Sequence, residues 1–370
     1  MSHRLSLARA CRDLGWKVVV ATRVERHGEA ILNEGFKLIP IGMRRGGRRP
    51  IHEFSTMLEM VLLYARERPD IMHHVGLKPV IYGSLAAMMT STGLVVNALM
   101  GMGYIFTSSR TLIRMVRRLI KVLLKVCLSS RRHWLIVQNQ HDASMLLANG
   151  IARANHTKII KGSGVDLERF VPETEPGGEI IVALVGRMLE DKGVREAVLA
   201  ARELRRRGSK IQIWLVGAPD DENPTSISEQ LLVCWQEEGC VRWLGHQDDV
   251  KSVWSKAHIS IHPSYREGMP LALLEAAACG KPMVATDIPG CNDFVVDGVN
   301  GFLVPKKDWM KLADCIETLA NSGDLRARFG TAARKQVEAG YGQQAVADQT
   351  IALYRKGINE IRWKPDTCPL

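Results

Sequence analysis

Two glutamates and two cations hold the positions in this 370-residue chain from which chemistry is easiest to derive. Glu267 and Glu275 sit in the segment Glu267-Gly268-Met269-Pro270-Leu271 … Glu275, which follows the strand-like run Ile259–His262. A strand there delivers the chain to a loop, and Gly268 lets backbone approach a ligand closely. Pro270 is expected at the first helical position, where its missing N–H costs nothing. The free amides of residues 269–272 then leave a helix N-terminus that attracts phosphate. Glu267 can accept hydrogen bonds from sugar hydroxyls, and Glu275, further along the helix, can accept two from a ribose diol. Arg187 and Lys192 lie in Val185-Gly186-Arg187-Met188-Leu189-Glu190-Asp191-Lys192-Gly193, between a strand and the helix 194–207. Two cations on such a loop can grip a diphosphate, the guanidinium as a fork and the ammonium as a point charge. Each segment alone also fits a bland reading, a surface helix with incidental glutamates and a solvated charged loop.

The elements that must position these residues alternate strand and helix throughout. Strand-like runs are Lys17–Thr22, Phe36–Pro40, Ile71–His74, Leu94–Ala98 and His133–Gln138, then Ile180–Val185, Ile211–Val216, Val241–Leu244, Ile259–His262 and Met283–Ala285. Helix-like stretches such as 54–68 and 78–90 lie between them. Apolar strands at this spacing predict parallel sheets covered by helices, an α/β class of two Rossmann-like doubly wound domains. The expected boundaries are 1–162, 163–342 and a last helix within 343–370 that crosses back to the first domain, with a linker at 161–166 and 172–179. Ligands of such sheets sit beyond the carboxyl ends of the strands, so the interdomain cleft is the expected site. The chain opens on an amphipathic helix, 2–14, ending at Gly15. The usual first strand with its glycine turn is expected to be missing from the sequence as given.

The order Ser163-Gly164-Val165-Asp166, Gly186-Arg187 … Lys192-Gly193, Glu267 … Glu275 and Asp297-Gly298-Val299-Asn300-Gly301-Phe302-Leu303-Val304 closely resembles glycosyltransferase family 4, over essentially the whole chain. The resemblance implies the GT-B fold and retaining transfer from a nucleotide sugar without metal or other cofactor, consistent with the lack of a D-x-D motif. It implies that Arg187 and Lys192 neutralise the leaving diphosphate and that Glu267 holds the donor sugar, lined by Gly268, Met269, Pro270 and Leu271. By the same resemblance Glu275 holds the ribose, Gly186 belongs to the diphosphate loop, and Gly245-His246 lies against uracil. The leaving phosphate itself is then the base for the incoming hydroxyl. The stretches Gly76-Leu77-Lys78-Pro79, 97–103 and 217–224 further resemble a bacterial subgroup acting on undecaprenyl-diphosphate-linked sugars. That implies a UDP-hexose or N-acetylhexosamine donor, GalNAc foremost, and a lipid-linked saccharide acceptor. Many family members carry a histidine in the acceptor loop. Here that loop contains Gly101 and Gly103 and no histidine, leaving His73 and His74 as substitutes or as packing groups.

Composition narrows the partners. The net charge is +11, and it is unevenly spread: residues 1–162 hold 25 Lys+Arg against 9 Asp+Glu, and the remainder 25 against 30. Basic surfaces seek phosphate. With 6% aromatics and no nucleic-acid module, a nucleic-acid partner is not expected. The eight cysteines form no C-x-x-C pair and no metal spacing. No apolar run is long enough to span a bilayer, and the start of the sequence, lacking an apolar stretch, is not expected to act as a signal peptide. In the helical stretch 111–128, Arg114, Arg117, Arg118, Lys121 and Lys125 share an arc of roughly 100°. Such a helix suits an anionic membrane surface, and a core helix with a solvated stripe is the plain alternative. Arg44, Arg45, Arg48 and Arg49 form a second cluster that could grip a lipid diphosphate. Together these features predict a protein peripheral on the cytoplasmic face of the inner membrane. The competing readings are an impaired transferase lacking its first strand and a sugar-nucleotide epimerase of the same architecture.

Overall fold

A computed structural model of the chain describes residues 2–24, 28–43, 50–90, 93–101 and 111–362. The chain divides into two compact units, Met1–Lys161 with Val346–Leu370, and Gly162–Ala345.

The first unit opens with α1 (Ser2–Asp13), β1 (Val19–Thr22), α2 (Gly28–Asn33) and β2 (Lys37–Pro40). Then follow α3 (Pro50–Glu67), β3 (Ile71–Val75), α4 (Leu77–Thr90), β4 (Leu94–Leu99), α5 (Thr111–Cys127), β5 (His133–Val137), α6 (Gln140–Ala148) and β6 (Thr157–Ile159). Strands β3-β4-β5-β6 form one parallel sheet. The period-2 alternation of a strand sorts its side chains. On β4 and β5, Leu94, Val96, Ala98, Trp134 and Ile136 face Leu7 and Cys11 of α1, while Leu99, Leu135 and Val137 face α4, α5 and α6. Instead of a single sheet, β1 and β2 pair in parallel as a separate two-stranded sheet. Among the described residues β1 pairs only with β2 and β3 only with β4, and α1 precedes every strand.

The second unit is built from β7 (Ile181–Val185), α7 (Val194–Arg206), β8 (Gln212–Val216), α8 (Glu229–Glu237), β9 (Val241–Trp243), α9 (Val250–Lys256), β10 (Ile259–His262), α10 (Leu271–Ala278), β11 (Met283–Thr286), β12 (Gly301–Val304), α11 (Trp309–Ala320) and α12 (Gly323–Glu338). Its sheet is wholly parallel, in the order β12-β11-β10-β7-β8-β9. The chain steps outward from β7 through β8 to β9, then returns to the other side of β7 at β10. The topological switch point, where open α/β sheets bind ligands, therefore lies between β7 and β10. The last helix, α13 (Gln343–Arg362), buries Val346, Ala347, Ile351 and Tyr354 against β4, β5 and α1 of the first unit.

Two strands went unrecognised in the sequence. β6 is three residues long, too short for a periodicity to register, and β12 reads as a glycine-led motif rather than an apolar run.

Candidate functional site

The carboxyl ends of β7 and β10 place the two chemical segments side by side, because these strands are hydrogen-bonded neighbours. After β7 the chain makes a turn at Glu190–Lys192 and reverses at Gly193, whose φ of 71° favours glycine. A Cβ at Gly193 would stand 2.1 Å from the Pro263 carbonyl oxygen, so only glycine lets this turn settle on the loop that leaves β10. The Tyr265 amide donates to the Asp191 carbonyl at 2.8 Å and fastens the two loops together. Lys192 Nζ consequently donates to Glu267 Oε1 at 2.5 Å, and Ser264 Oγ donates to the same oxygen at 2.9 Å. The Glu267 side chain is 10% exposed and that of Lys192 is 26% exposed, so the pair is shielded while still reachable.

Arg187 leaves the end of β7 more openly, and its Nη1 donates to Asp220 Oδ2 at 2.5 Å. Asp220 belongs to the loop after β8. That loop is pinned to the Arg187 loop by Glu190 N to Thr225 O and Ile227 N to Met188 O, and Ser226 Oγ accepts from the Asp220 amide. Each cation assigned to a diphosphate thus has a carboxylate of this chain as its partner. The acidic run Asp220-Asp221-Glu222 is visible in the sequence, but nothing there marks Asp220 as the partner of Arg187.

Gly186, Gly217 and Gly245 line the carboxyl ends of β7, β8 and β9 and are joined through Gly186 N to Val216 O and Gly217 N to Gly245 O. His246 is exposed, with Nε2 3.3 Å from Asp248. Gly268, Met269 and Pro270 are buried, and a Cβ on Gly290 would strike the Gly268 carbonyl oxygen at 2.5 Å, so the loop after β11 backs this peptide closely. Pro270 is not the first helical residue. Its ψ of 120° puts it at the N-cap, and Leu271 begins α10. The first-turn amides remain without helical partners in either case. Glu275 lies on α10 beside Trp254 and Arg169, and desolvation pushes its carboxyl up to about 7. His262 ends β10 in full burial, which lowers it to about 4.

In the first unit the histidines have structural partners. His74 contacts Tyr64 Oη at 2.6 Å through Nε2 and Asn97 Oδ1 at 2.8 Å through Nδ1, and its burial lowers it to about 4. His73 Nδ1 meets Tyr354 Oη, and burial holds its pKa well below the usual range. Burial and these partners fit the packing reading of both histidines. Gly101 follows β4 with a φ of 97°. On α5, Arg118 and Lys125 are exposed, and Arg117 and Lys121 are half-buried. Arg44, Arg45, Arg48, Arg49, Gly103 and the Arg114 side chain lie outside the described residues. Among the described residues no group of three His, Cys, Asp or Glu side chains could hold a metal ion, and no helix is long and apolar enough to cross a membrane.

Comparisons with known proteins agree on one kind of protein. Residues 166–336 match the family profile of glycosyl transferases group 1, and residues 1–139 match that of glycosyl transferase 4-like proteins. The capsular polysaccharide biosynthesis glycosyltransferase CapM of Staphylococcus aureus is 23% identical over 84% of this chain and 83% of its own. The N,N'-diacetylbacillosaminyl-diphospho-undecaprenol alpha-1,3-N-acetylgalactosaminyltransferase of Campylobacter jejuni is 25% identical over 97% of this chain and 96% of its own. Among solved structures, the sucrose-phosphate synthase of Thermosynechococcus elongatus superposes with a TM-score of 0.79 at 22% identity, covering 96% of this chain and 92% of that one. Anabaena HepE in complex with UDP-glucose superposes with a TM-score of 0.76 at 18% identity, covering 96% of each chain.

Proposed function

This chain belongs to the glycosyltransferases of the GT-B fold, and we propose that it transfers a hexose or N-acetylhexosamine from a UDP-sugar to a polyprenyl-diphosphate-linked saccharide with retention of anomeric configuration. The observation that carries this reading is the meeting of Lys192 and Glu267 at the switch point of the second sheet, with Arg187 on the adjoining loop. The C. jejuni relative is named for transfer to an undecaprenyl-diphosphate-linked acceptor, which supports the acceptor class and makes GalNAc the first donor sugar to test. HepE structures hold UDP and UDP-glucose, which supports the nucleotide.

In this reading the bond between the anomeric carbon and the β-phosphate oxygen breaks as an acceptor hydroxyl oxygen attacks from the same face. The hydroxyl proton passes to the departing phosphate oxygen. Arg187, Lys192 and the first-turn amides of α10 stabilise the developing diphosphate charge, a preorganised arrangement that calls for no metal ion or other cofactor. Glu267 gives up its contact with Lys192 to accept from donor-sugar hydroxyls, with Gly268, Met269, Pro270 and Leu271 supplying backbone. Glu275 accepts from the ribose, and Gly186, Gly245 and His246 border the nucleotide. The lipid-linked acceptor places the protein on the cytoplasmic face of the inner membrane, held to anionic lipid by the basic arc of α5. No nucleic acid takes part.

The test is incubation with UDP-GalNAc and related UDP-sugars together with a polyprenyl-diphosphate-linked saccharide, followed by proton NMR of the product. Sugar addition with an α-anomeric coupling is expected. Donor consumption without product, or a β-linked product, contradicts the reading.

A further inference from the structure

Helices α3, α4 and α5 lie together on one face of the β3–β6 sheet, with α4 packed against both others. An outer helix of a soluble protein normally turns polar residues to water. These helices turn apolar residues to water as well. On α5, Met115, Leu119, Val122 and Val126 recur at helical spacing and are exposed, Met115 at 65%, Leu119 at 59% and Val122 at 60%. The helix buries a different arc, Ile120, Leu124 and Cys127. On α3, Phe54, Leu58 and Leu62 repeat every four residues and are also exposed, Phe54 at 65%. Met88 and Met89 on α4 are exposed between them. Exposed apolar ridges repeated on neighbouring helices mark an interaction site.

The charges around this surface are sorted. Lys121 donates to Asn149 at the end of α6 at 2.8 Å, so the basic flank of α5 lies on the α6 side. Helices α4 and α5 contain no acidic residue. The acids of α3 are engaged: Glu53 with Lys78, Glu59 with the Gly42 amide, and Glu67 with Lys37. An apolar plate bordered on one side by cations, with its neighbouring acids occupied, matches the interface of an anionic bilayer, where acyl chains lie beside phosphate headgroups.

We propose that α3, α4 and α5 form a membrane-insertion plate, in which the apolar ridges enter the acyl boundary and Arg118 and Lys125 rest on lipid phosphate. This rests on the membrane-face reading above and deepens it: attachment is hydrophobic as well as electrostatic, and it involves three helices rather than one.

The experiment is flotation of the full chain with vesicles of phosphatidylethanolamine and phosphatidylglycerol, at low salt and at about 0.5 M NaCl, where charges are screened within a few ångströms. Wild type is expected to float in both conditions. Leu119→Glu with Val122→Glu, and separately Phe54→Glu with Leu58→Glu, are expected to lower the floated fraction at high salt about tenfold. UDP binding and circular dichroism in each variant show that the fold is retained. Flotation of wild type at low salt but not at high salt overturns the plate and leaves the electrostatic reading standing. Absence of flotation at either salt overturns both. A wild type that sediments as a dimer, and becomes a monomer in the Glu variants, overturns the plate in favour of a second copy of the chain.

Discussion

Lys192 and Glu267 are 75 residues apart in sequence, yet the Lys192 ammonium donates to Glu267 Oε1 at 2.5 Å. The contact depends on the adjacency of β7 and β10 and on a glycine, Gly193, that allows one loop to touch the next. It ties a cation assigned to the leaving group to a carboxylate assigned to the sugar, so each is held in place before a donor arrives. Lys192→Ala is expected to lower kcat by about 100- to 1000-fold, the range seen when one preorganised donor to a developing anion is removed. Steady-state UDP release checks it, and a loss smaller than about fivefold contradicts the role.

Arg187 is paired with Asp220, which competes for it with a donor diphosphate in the proposed role. Asp220→Asn removes the competing charge while keeping the side-chain shape. Because exposed ion pairs contribute only about 0.2–1 kcal/mol, UDP should bind roughly two- to fivefold more tightly. Isothermal titration gives the answer, and weaker binding would mean that Asp220 serves to aim Arg187.

Desolvation pushes Glu275 from its ordinary 4.5 to about 7. In the proposed role ribose hydroxyls donate to the ionised Glu275 carboxylate, so UDP affinity should rise with pH, with Kd falling up to about tenfold between pH 6 and pH 8. Glu275→Gln should bind more weakly and flatten that profile. Without ligand the sign reverses. The folded form holds a proton that the unfolded chain releases, so this group's stabilisation is complete below 4.5 and is lost as pH rises through about 7. Thermal melts across this window check the second half.

Gly217 has a φ of 144°, and a Cβ there would lie 1.8 Å from the Gly186 carbonyl oxygen. Gly217→Ala must therefore push β8 away from the Arg187 loop. A loss of at least about 2 kcal/mol in unfolding free energy is expected, with UDP affinity falling alongside it. Denaturant titration measures the first effect.

The segments that make up the candidate site were legible in the sequence because each is local. Gly193, the strand ending at His262 and the helix carrying Glu275 each announce themselves by residue type and spacing. What joins them was not legible. The Arg187–Asp220 pair and the clasp of Tyr265 N on Asp191 O arise from strand order, which periodicity does not encode. Pro270 fell one position outside the helix, a shift of the size that helix ends commonly show. The separation of β1–β2 from the β3–β6 sheet is likewise a matter of pairing, invisible in runs of apolar residues. The basic arc of α5 could be read from its spacing. Its exposed apolar arc could not, because a helical wheel does not reveal which apolar residues a neighbouring helix covers.

In the proposed reading Arg187 and Lys192 hold the diphosphate of a nucleotide-sugar donor and Glu275 holds its ribose. Isothermal titration of UDP into the full chain tests it most directly, with Lys192→Ala and Glu275→Ala alongside. Saturable binding at a single site, weakened about tenfold or more in each variant, is the predicted result. Binding that is absent in the wild type, or of equal strength in all three proteins, would contradict it.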